Sequence, residues 1–570
     1  MSPGGRRWRG AAYLAGAALC AAAYAQASHH YDGYPQPAYD VMGIPVEELA
    51  WQAIYLAYGI PFVLLAAAGL AALGAGEAVA RQLARLRRVP RLALLLVLLV
   101  PLGAALARLL VLQGQSVTDD EETYLFIART LLAGRVVNPL PEDPEFFRNQ
   151  FVVLGPRGWF GKYPIGQGLV LALGLSSGTL DVLQGLLGGA TAWLTWLVGR
   201  RTLGPRRALL GLALLALSPH FLLTHATLLS QPAVALSLMG ATLAALHWER
   251  TGRARHAAAC GLLVAFGVLV RPMPGVLLAL GPLGLLARAA LRQPRARVAL
   301  LAFGAAASLG VGAVALVNLL QSGSPLRSGY QEIHRTSGLL GGSRGATGLS
   351  VFGNLWRENF WLFGWPASLL ALLAARGGRG RWLLWSPVVA ELIYRVLVPK
   401  TVVSSTGPTY FLEMVPVLAL LAADGLVRLW TMARRLGEGA ARGVALGAVS
   451  AAAAAWIFFW PVQVRALARG ASARAQVWQQ LPRQPGQRVL VFSDALVPSR
   501  SGLTWAYYPP NPSPDLSDEV LFVRWPRTAD AEARARDFAR RRFPDRAAWR
   551  WVTSPEPRLV PVFREQGASP

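Results

Sequence analysis

Apolar runs of about 20 residues, the length that crosses a bilayer, recur along most of this chain, separated by short arginine-rich segments. Inside lipid every backbone polar group must find its partner within the protein, so only helices or closed barrels can span. The runs here are continuous, not alternating ten-residue segments, and that selects helices. Composition agrees. Of 570 residues, 54% are hydrophobic and only 15% charged, against about 25% in a soluble chain. The chain is therefore read as an all-α polytopic membrane protein. A formal charge of +26 would suit nucleic acid, but the arginines cluster at alternate span ends. That is the positive-inside pattern. No basic stripe with interleaved aromatics is present, so nucleic acid is excluded as a partner. Cys20 and Cys260 both lie in apolar runs and give neither a disulfide framework nor a metal site.

Placing the arginine clusters in the cytoplasm orders the spans. Runs at 11–27, 51–74, 92–111, 179–198, 208–224 and 232–247 are followed by a short pair, 257–270 and 274–286, around Arg271. Runs at 298–320, 360–375, 382–399, 410–429 and 444–460 complete about 11–13 membrane helices. The first run, flanked by Arg6 to Arg9 and by Ala25-Gln26-Ala27, also fits a cleavable secretory signal. Three parts follow: an N-terminal hairpin (1–90), a membrane core (91–461) with outer loops 113–162 and 321–359, and a small extracytoplasmic α/β domain (462–570). In the last, RVLVFSDAL and EVLFVRW are strand-like, and 529–542 reads as a charged helix.

The first outer loop carries the chemistry. Asp119, Asp120, Glu121 and Glu122 stand in a row within TDDEETYLFIARTLLAG. Thr118 and Glu121 fit a capping box, and acids suit a helix N-terminus. Successive helical residues diverge by about 100°, so the four acids cannot face one substrate. Asp120 shares a face with Tyr124 and Ile127, while Asp119 shares one with Glu122 and Phe126. A carboxylate carried into a cleft can act as general base toward a hydroxyl or amine. Lys162 and Lys400 are the only lysines. Each falls at a predicted outer span end, where a point charge suits a phosphate or simply snorkels to the interface. Arg271, beside Pro272, needs an anionic partner, either a lipid phosphate or a loop carboxylate. Glu391 and Arg395 are four residues apart and are expected to pair with each other. Glu413, one turn into a span, is a functional candidate by default. His29, His30 and Asp32 form a weak metal motif, and His225 and His334 read as polar loop residues.

In order along the chain, Asp120-Glu121-x-x-Tyr124 with Ala128-Arg129 and Leu131-Leu132-Ala133-Gly134, then Lys162-Tyr163-Pro164, Leu269-Val270-Arg271-Pro272, Ser322-Gly323-Ser324-Pro325 with Gly329-Tyr330, and Gly407-Pro408-x-Tyr410 with Pro416 resemble the motifs of the polytopic C-type (GT-C) glycosyltransferases. That superfamily includes the protein O-mannosyltransferases and the lipid A aminoarabinose transferase. Tyr163 replaces the first proline of the family's Lys-Pro-Pro step. Thr123 stands where the aminoarabinose transferases carry an arginine. The resemblance implies an 11-span core, a polyprenyl-phosphate sugar donor, Asp120 as base with Glu121 beside it, and Lys162 holding the donor phosphate.

The expected function is thus transfer of a sugar from a polyprenyl phosphate to a protein, lipid or glycan acceptor. It would take place at the outer face of a bacterial cytoplasmic membrane. Asp120 and Glu121 are the catalytic candidates, and Lys162 and Arg271 the phosphate-binding ones. Tyr124, Tyr163, Tyr330, Tyr410 and Glu413 are substrate-binding candidates. A divalent metal is a further candidate for meeting the phosphate charge. The alternative is a transporter or flippase for a lipid-linked or small polar substrate, which accounts equally for the spans and for intramembrane Glu391 and Arg395.

Overall fold

A computed structural model describes residues 3–28, 40–41, 44–77, 89–149, 151–337, 349–378, 380–398, 403–404, 406–482, 486–493, 510–552 and 556–563. Lys400, the His29/His30/Asp32 motif and the arginines at 81–88 lie outside them. Six helices among the described residues are long and apolar enough to cross a membrane: Val46–Ala72, Pro90–Val111, Leu180–Thr202, Pro272–Arg292, Pro294–Ser322 and Glu438–Gln480. Other expected spans are helices too, at Pro205–Leu217, Gln231–Thr251, Ala254–Val270, Trp382–Leu397 and Val415–Arg435. The first half of Val415–Arg435 is buried throughout, as is most of Gln231–Thr251. Enclosed by protein instead of lipid, such helices can be shorter and carry more polar groups.

Three expected spans take a different form. The run at 208–224 breaks at Ser218-Pro219, where Ser218 caps a new short helix by accepting from the Phe221 amide at 3.2 Å. The run at 360–375 is not one span. Helix Leu349–Trp361 stops ahead of Gly364, whose φ is +70°, and Pro366, and the chain resumes as Leu370–Ala374. The run at 444–460 is one stretch of a helix that continues to Gln480. Beyond Pro461 it turns amphipathic: Val462, Ala466, Leu467 and Ala471 are buried while Arg465 and Arg469 face out. Purely apolar scanning therefore ends too early.

The N-terminal hairpin is built into the bundle. Tyr24 donates to the Phe458 carbonyl at 2.5 Å, and Trp51 donates to the Tyr24 hydroxyl at 2.7 Å. Tyr55 donates to the Gly364 carbonyl at 2.7 Å. Glu48 pairs with Arg357 at 2.8 Å, both nearly fully buried. Breaking such a pair strands a buried charge. Glu48→Ala should lower stability by about 3–5 kcal/mol, read as loss of detergent-resistant folded protein on heating. Unchanged melting would show that the pair carries no weight.

The C-terminal sheet has strand order Arg558–Pro561, Arg546–Val552, Arg488–Ser493, Val520–Arg524. The central pairings are parallel and the Arg558–Pro561 edge is antiparallel. Side chains alternate across it. Val489 and Val491 meet Val477 and Leu481 from the end of the long helix. Leu490, Phe492, Leu521 and Val523 meet helix Ala531–Arg542. The same core takes in Phe126, Phe146, Phe147, Val152 and Trp159 from loop 113–162. Phe146 stacks on Phe538 at 3.9 Å. Arg534 meets Glu145 at 2.9 Å, and Arg542 meets Glu142. The loop and the tail thus share one hydrophobic core.

Candidate functional site

The acidic helix, Asp119–Leu132, opens on the predicted capping box. Thr118 Oγ1 accepts from the Glu121 amide at 3.3 Å, and Glu121 Oε1 accepts from the Thr118 amide at 3.1 Å. Glu121 is completely buried. It also accepts from the amides of Val117 and Leu228, at 2.9 and 2.8 Å, with Arg108 at 3.9 Å. These partners hold the helix start against the turn before Gln231–Thr251. They occupy Glu121 structurally, and it is not among the residues that line the cavity described below. Glu122 points elsewhere again, to Arg474 at 2.7 Å.

Asp120 faces the other way and accepts a hydrogen bond from the Tyr163 hydroxyl. Burial, with the Asp120 charge adding to it, pushes the Tyr163 phenol well above its ordinary pKa. It therefore stays protonated and able to donate. Burial, and then the neighbouring Asp120 charge, push the half-buried Asp119 up to about 7, with Lys162 opposing. Near neutral pH the adjacent carboxylates therefore need not both be charged. Tyr163 lies 4.7 Å from Tyr124, ring to ring. Tyr124 reaches Ser230 at 2.9 Å, and Arg271 donates to the same Ser230 oxygen at 3.4 Å. A continuous chain of contacts thus joins Asp120 to Arg271.

Tyr163 and Arg271 line a cavity of about 370 Å³ together with Lys162, Tyr330, Tyr394, Arg395 and Tyr410. Lys162 leaves a two-stranded hairpin, Val152–Gly155 with Gly158–Gly161. Its ammonium sits 2.9 Å from the centre of the Phe151 ring, with Tyr163 and Tyr330 at 4.6 and 5.6 Å. Phe151 is held at φ +65°, a strained conformation for a bulky residue that costs about 1–3 kcal/mol. Gly329 packs directly on the Lys162 backbone, where a Cβ would lie 2.5 Å from the Lys162 carbonyl oxygen. That close approach brings Tyr330 to the cavity. Arg271 pairs with Glu413 at 3.2 Å, so its anionic partner here is a carboxylate. Glu413 itself lies in the short 3₁₀ turn Leu412–Met414, ahead of the span and not within it.

No protein-family model and no curated protein sequence matches the chain. Solved structures do. ArnT from Cupriavidus metallidurans bound to undecaprenyl phosphate superposes with a TM-score of 0.50 at 14% identity, covering 80% of this chain and 92% of that one. The chain has the GT-C fold. The archaeal oligosaccharyltransferase AglB from Archaeoglobus fulgidus, in complex with an inhibitory peptide and a dolichol phosphate, gives a TM-score of 0.38 at 14% identity, covering 72% of this chain and 64% of that one. The arabinosyltransferase EmbB from Mycobacterium smegmatis gives 0.39 at 17% identity, covering 75% and 45%.

Within this GT-C fold, sequence reasoning missed several neighbours of the cavity. Glu391 and Arg395 pair as expected, at 2.5 Å, yet Arg395 also lines the cavity with its guanidinium 3.7 Å from the centre of the Tyr410 ring. Its adjacency to Tyr394 at a span end was the available signal. Ser230 carried none. His225 lies in the turn that follows Thr224, as a loop residue, but it is buried, and its Nδ1 meets the Phe221 carbonyl at 2.7 Å. The side chain of His334 lies outside the described residues. Asp119 and Asp120 are adjacent carboxylates, one of them bonded to Tyr163 of the cavity wall, that could contribute to holding a divalent cation. Among the described residues no third His, Cys, Asp or Glu joins them as a metal-binding group.

Proposed function

We propose that this protein is an integral membrane glycosyltransferase that uses a polyprenyl-phosphate sugar. It acts at the outer face of a bacterial cytoplasmic membrane, on a hydroxyl or amine acceptor. The observation that carries this reading is the convergence of one accessible carboxylate and two cations from distant parts of the chain. Asp120 accepts from the Tyr163 hydroxyl, and Tyr163 lines the cavity together with Lys162 and Arg271. ArnT, which shares the fold, was solved with undecaprenyl phosphate.

The chemistry follows from the placement. Asp120 takes the acceptor proton as the acceptor heteroatom attacks the anomeric carbon. The bond from that carbon to the phosphate oxygen breaks, and both of its electrons leave with the phosphate. Lys162 and Arg271 meet the charge that grows there. Tyr163 orients the Asp120 carboxylate, while the aromatic walls keep the reacting atoms away from bulk water. One displacement with no covalent enzyme intermediate inverts the anomeric centre.

The test is transfer from a synthetic polyprenyl-phosphate sugar by the reconstituted full-length protein, followed by consumption of the lipid-linked sugar. Lys162→Ala should lower kcat/KM for the donor by about 10–100-fold, the worth of a charged hydrogen bond. If the lipid-linked sugar crosses the bilayer intact and is never consumed, the transporter alternative replaces this reading.

A further inference from the structure

Two arginines flank one tyrosine at the wall of the cavity. The Arg395 guanidinium lies 3.7 Å from the centre of the Tyr410 ring and that of Arg271 lies 6.0 Å from it. Like charges this close, away from bulk water, repel unless each has a counter-ion. Each has one of its own: Glu391 at 2.5 Å from Arg395 and Glu413 at 3.2 Å from Arg271. The two pairs differ in quality. Arg395 Nε makes a well-formed hydrogen bond to Glu391. Neither Glu413 oxygen has a hydrogen-bond partner, although both are buried, so that pair is held by charge alone.

An arginine whose sole task was to neutralise Glu391 one turn below it would be satisfied anywhere along the helix surface. Arg395 instead sits over the Tyr410 ring with its side chain 5% exposed, and it borders the same cavity as Lys162 and Arg271. Its Nε is engaged by Glu391. A guanidinium presents five donors in a rigid fork, so its terminal nitrogens remain able to serve an anion. A phosphate with several acceptor oxygens is the ligand that such a fork fits.

We infer that Arg395 is a third phosphate-binding residue for the lipid donor, beside Lys162 and Arg271, and that Glu391 is the counter-ion that holds it when the phosphate is absent. The inference rests on the lipid-phosphate reading above. It carries a sign that a plain structural ion pair does not. Glu391 competes with the phosphate for Arg395, so weakening that carboxylate should favour the ligand, while removing the arginine should oppose it.

The experiment measures binding of undecaprenyl phosphate to the full-length protein in lipid nanodiscs, with undecaprenol as the control for the tail and melting temperature as the control for folding. Arg395→Ala should weaken binding by about tenfold or more, the loss of one charge-assisted contact. Arg395→Lys, which keeps the charge but loses the fork, should fall between it and the wild type. Glu391→Gln should bind more tightly than the wild type even though it melts lower. Equal weakening by Arg395→Ala and Glu391→Gln, or wild-type affinity in folded Arg395→Lys and Arg395→Ala, would overturn the inference while leaving the function standing. Failure of the wild type to distinguish undecaprenyl phosphate from undecaprenol would instead remove the lipid-phosphate reading itself.

Discussion

Asp120→Asn should lower sugar transfer by about 10²–10⁴-fold, the worth of a positioned general base, without unfolding the protein. Asparagine keeps the size of the side chain and still accepts from the Tyr163 hydroxyl, but at neutral pH it cannot take a proton. Glu121→Gln should behave in the opposite way. Glu121 is completely buried among the amides of Val117, Thr118 and Leu228 and beside Arg108. Removing its charge weakens several charge-assisted bonds at once, so the loss should appear first in folded yield. Activity per folded molecule is the quantity to compare. A folded Asp120→Asn protein that transfers sugar at the wild-type rate would end its role as base.

Deleting residues 482–570 should abolish transfer, although every residue lining the cavity lies at or before position 410. The C-terminal sheet completes the core that contains Phe126 of the acidic helix and Trp159 of the Lys162 hairpin. Without it, Phe146, Phe147 and Val152 lose their cover, and the direct contacts between the two halves of the site, Phe126 with Trp159 and Asp120 with Tyr163, lose the packing behind them. A gentler version is Phe538→Ala. Phe538 is 1% exposed and stacks on Phe146, so truncation should cost about 3–5 kcal/mol. Limited proteolysis of the segment 133–161 would report the loosening directly. A truncated protein that kept both protease resistance there and wild-type transfer would show that the loop holds itself.

What could be read in the sequence was mostly local. The capping box at Thr118 and Glu121 needs residues three apart and a helix between them, and the structure contains it as expected. The 100° step per residue separated Asp120 from Glu121 and Glu122 in direction, and their three different partners bear that out. Pairings across long stretches of chain had no local signature. The partners Arg271–Glu413, Glu122–Arg474 and Glu48–Arg357 are set by how helices stack. The hairpin at 152–161 was passed over because its strands are only four residues each. The last membrane helix runs on to Gln480, past the apolar run that ends at Trp460, because hydropathy fades at Pro461 while helical packing continues. His225 shows the same limit: burial is a property of neighbours, and one chain read in isolation does not contain them.

The shared core of loop and tail has a consequence for how the molecule is made. Its early half, Phe126 to Trp159, is complete long before its late half, which ends at Val562. Ribosomes add about 5–20 residues per second, so on the order of 20–80 s separates the emergence of the two. For that interval the early aromatic residues lie uncovered, while the membrane helices between them are threaded into lipid. A holding factor or the membrane surface itself would have to shield them. A stalled or shortened chain would leave this patch open for degradation, making the last strand a checkpoint for whether the first loop survives.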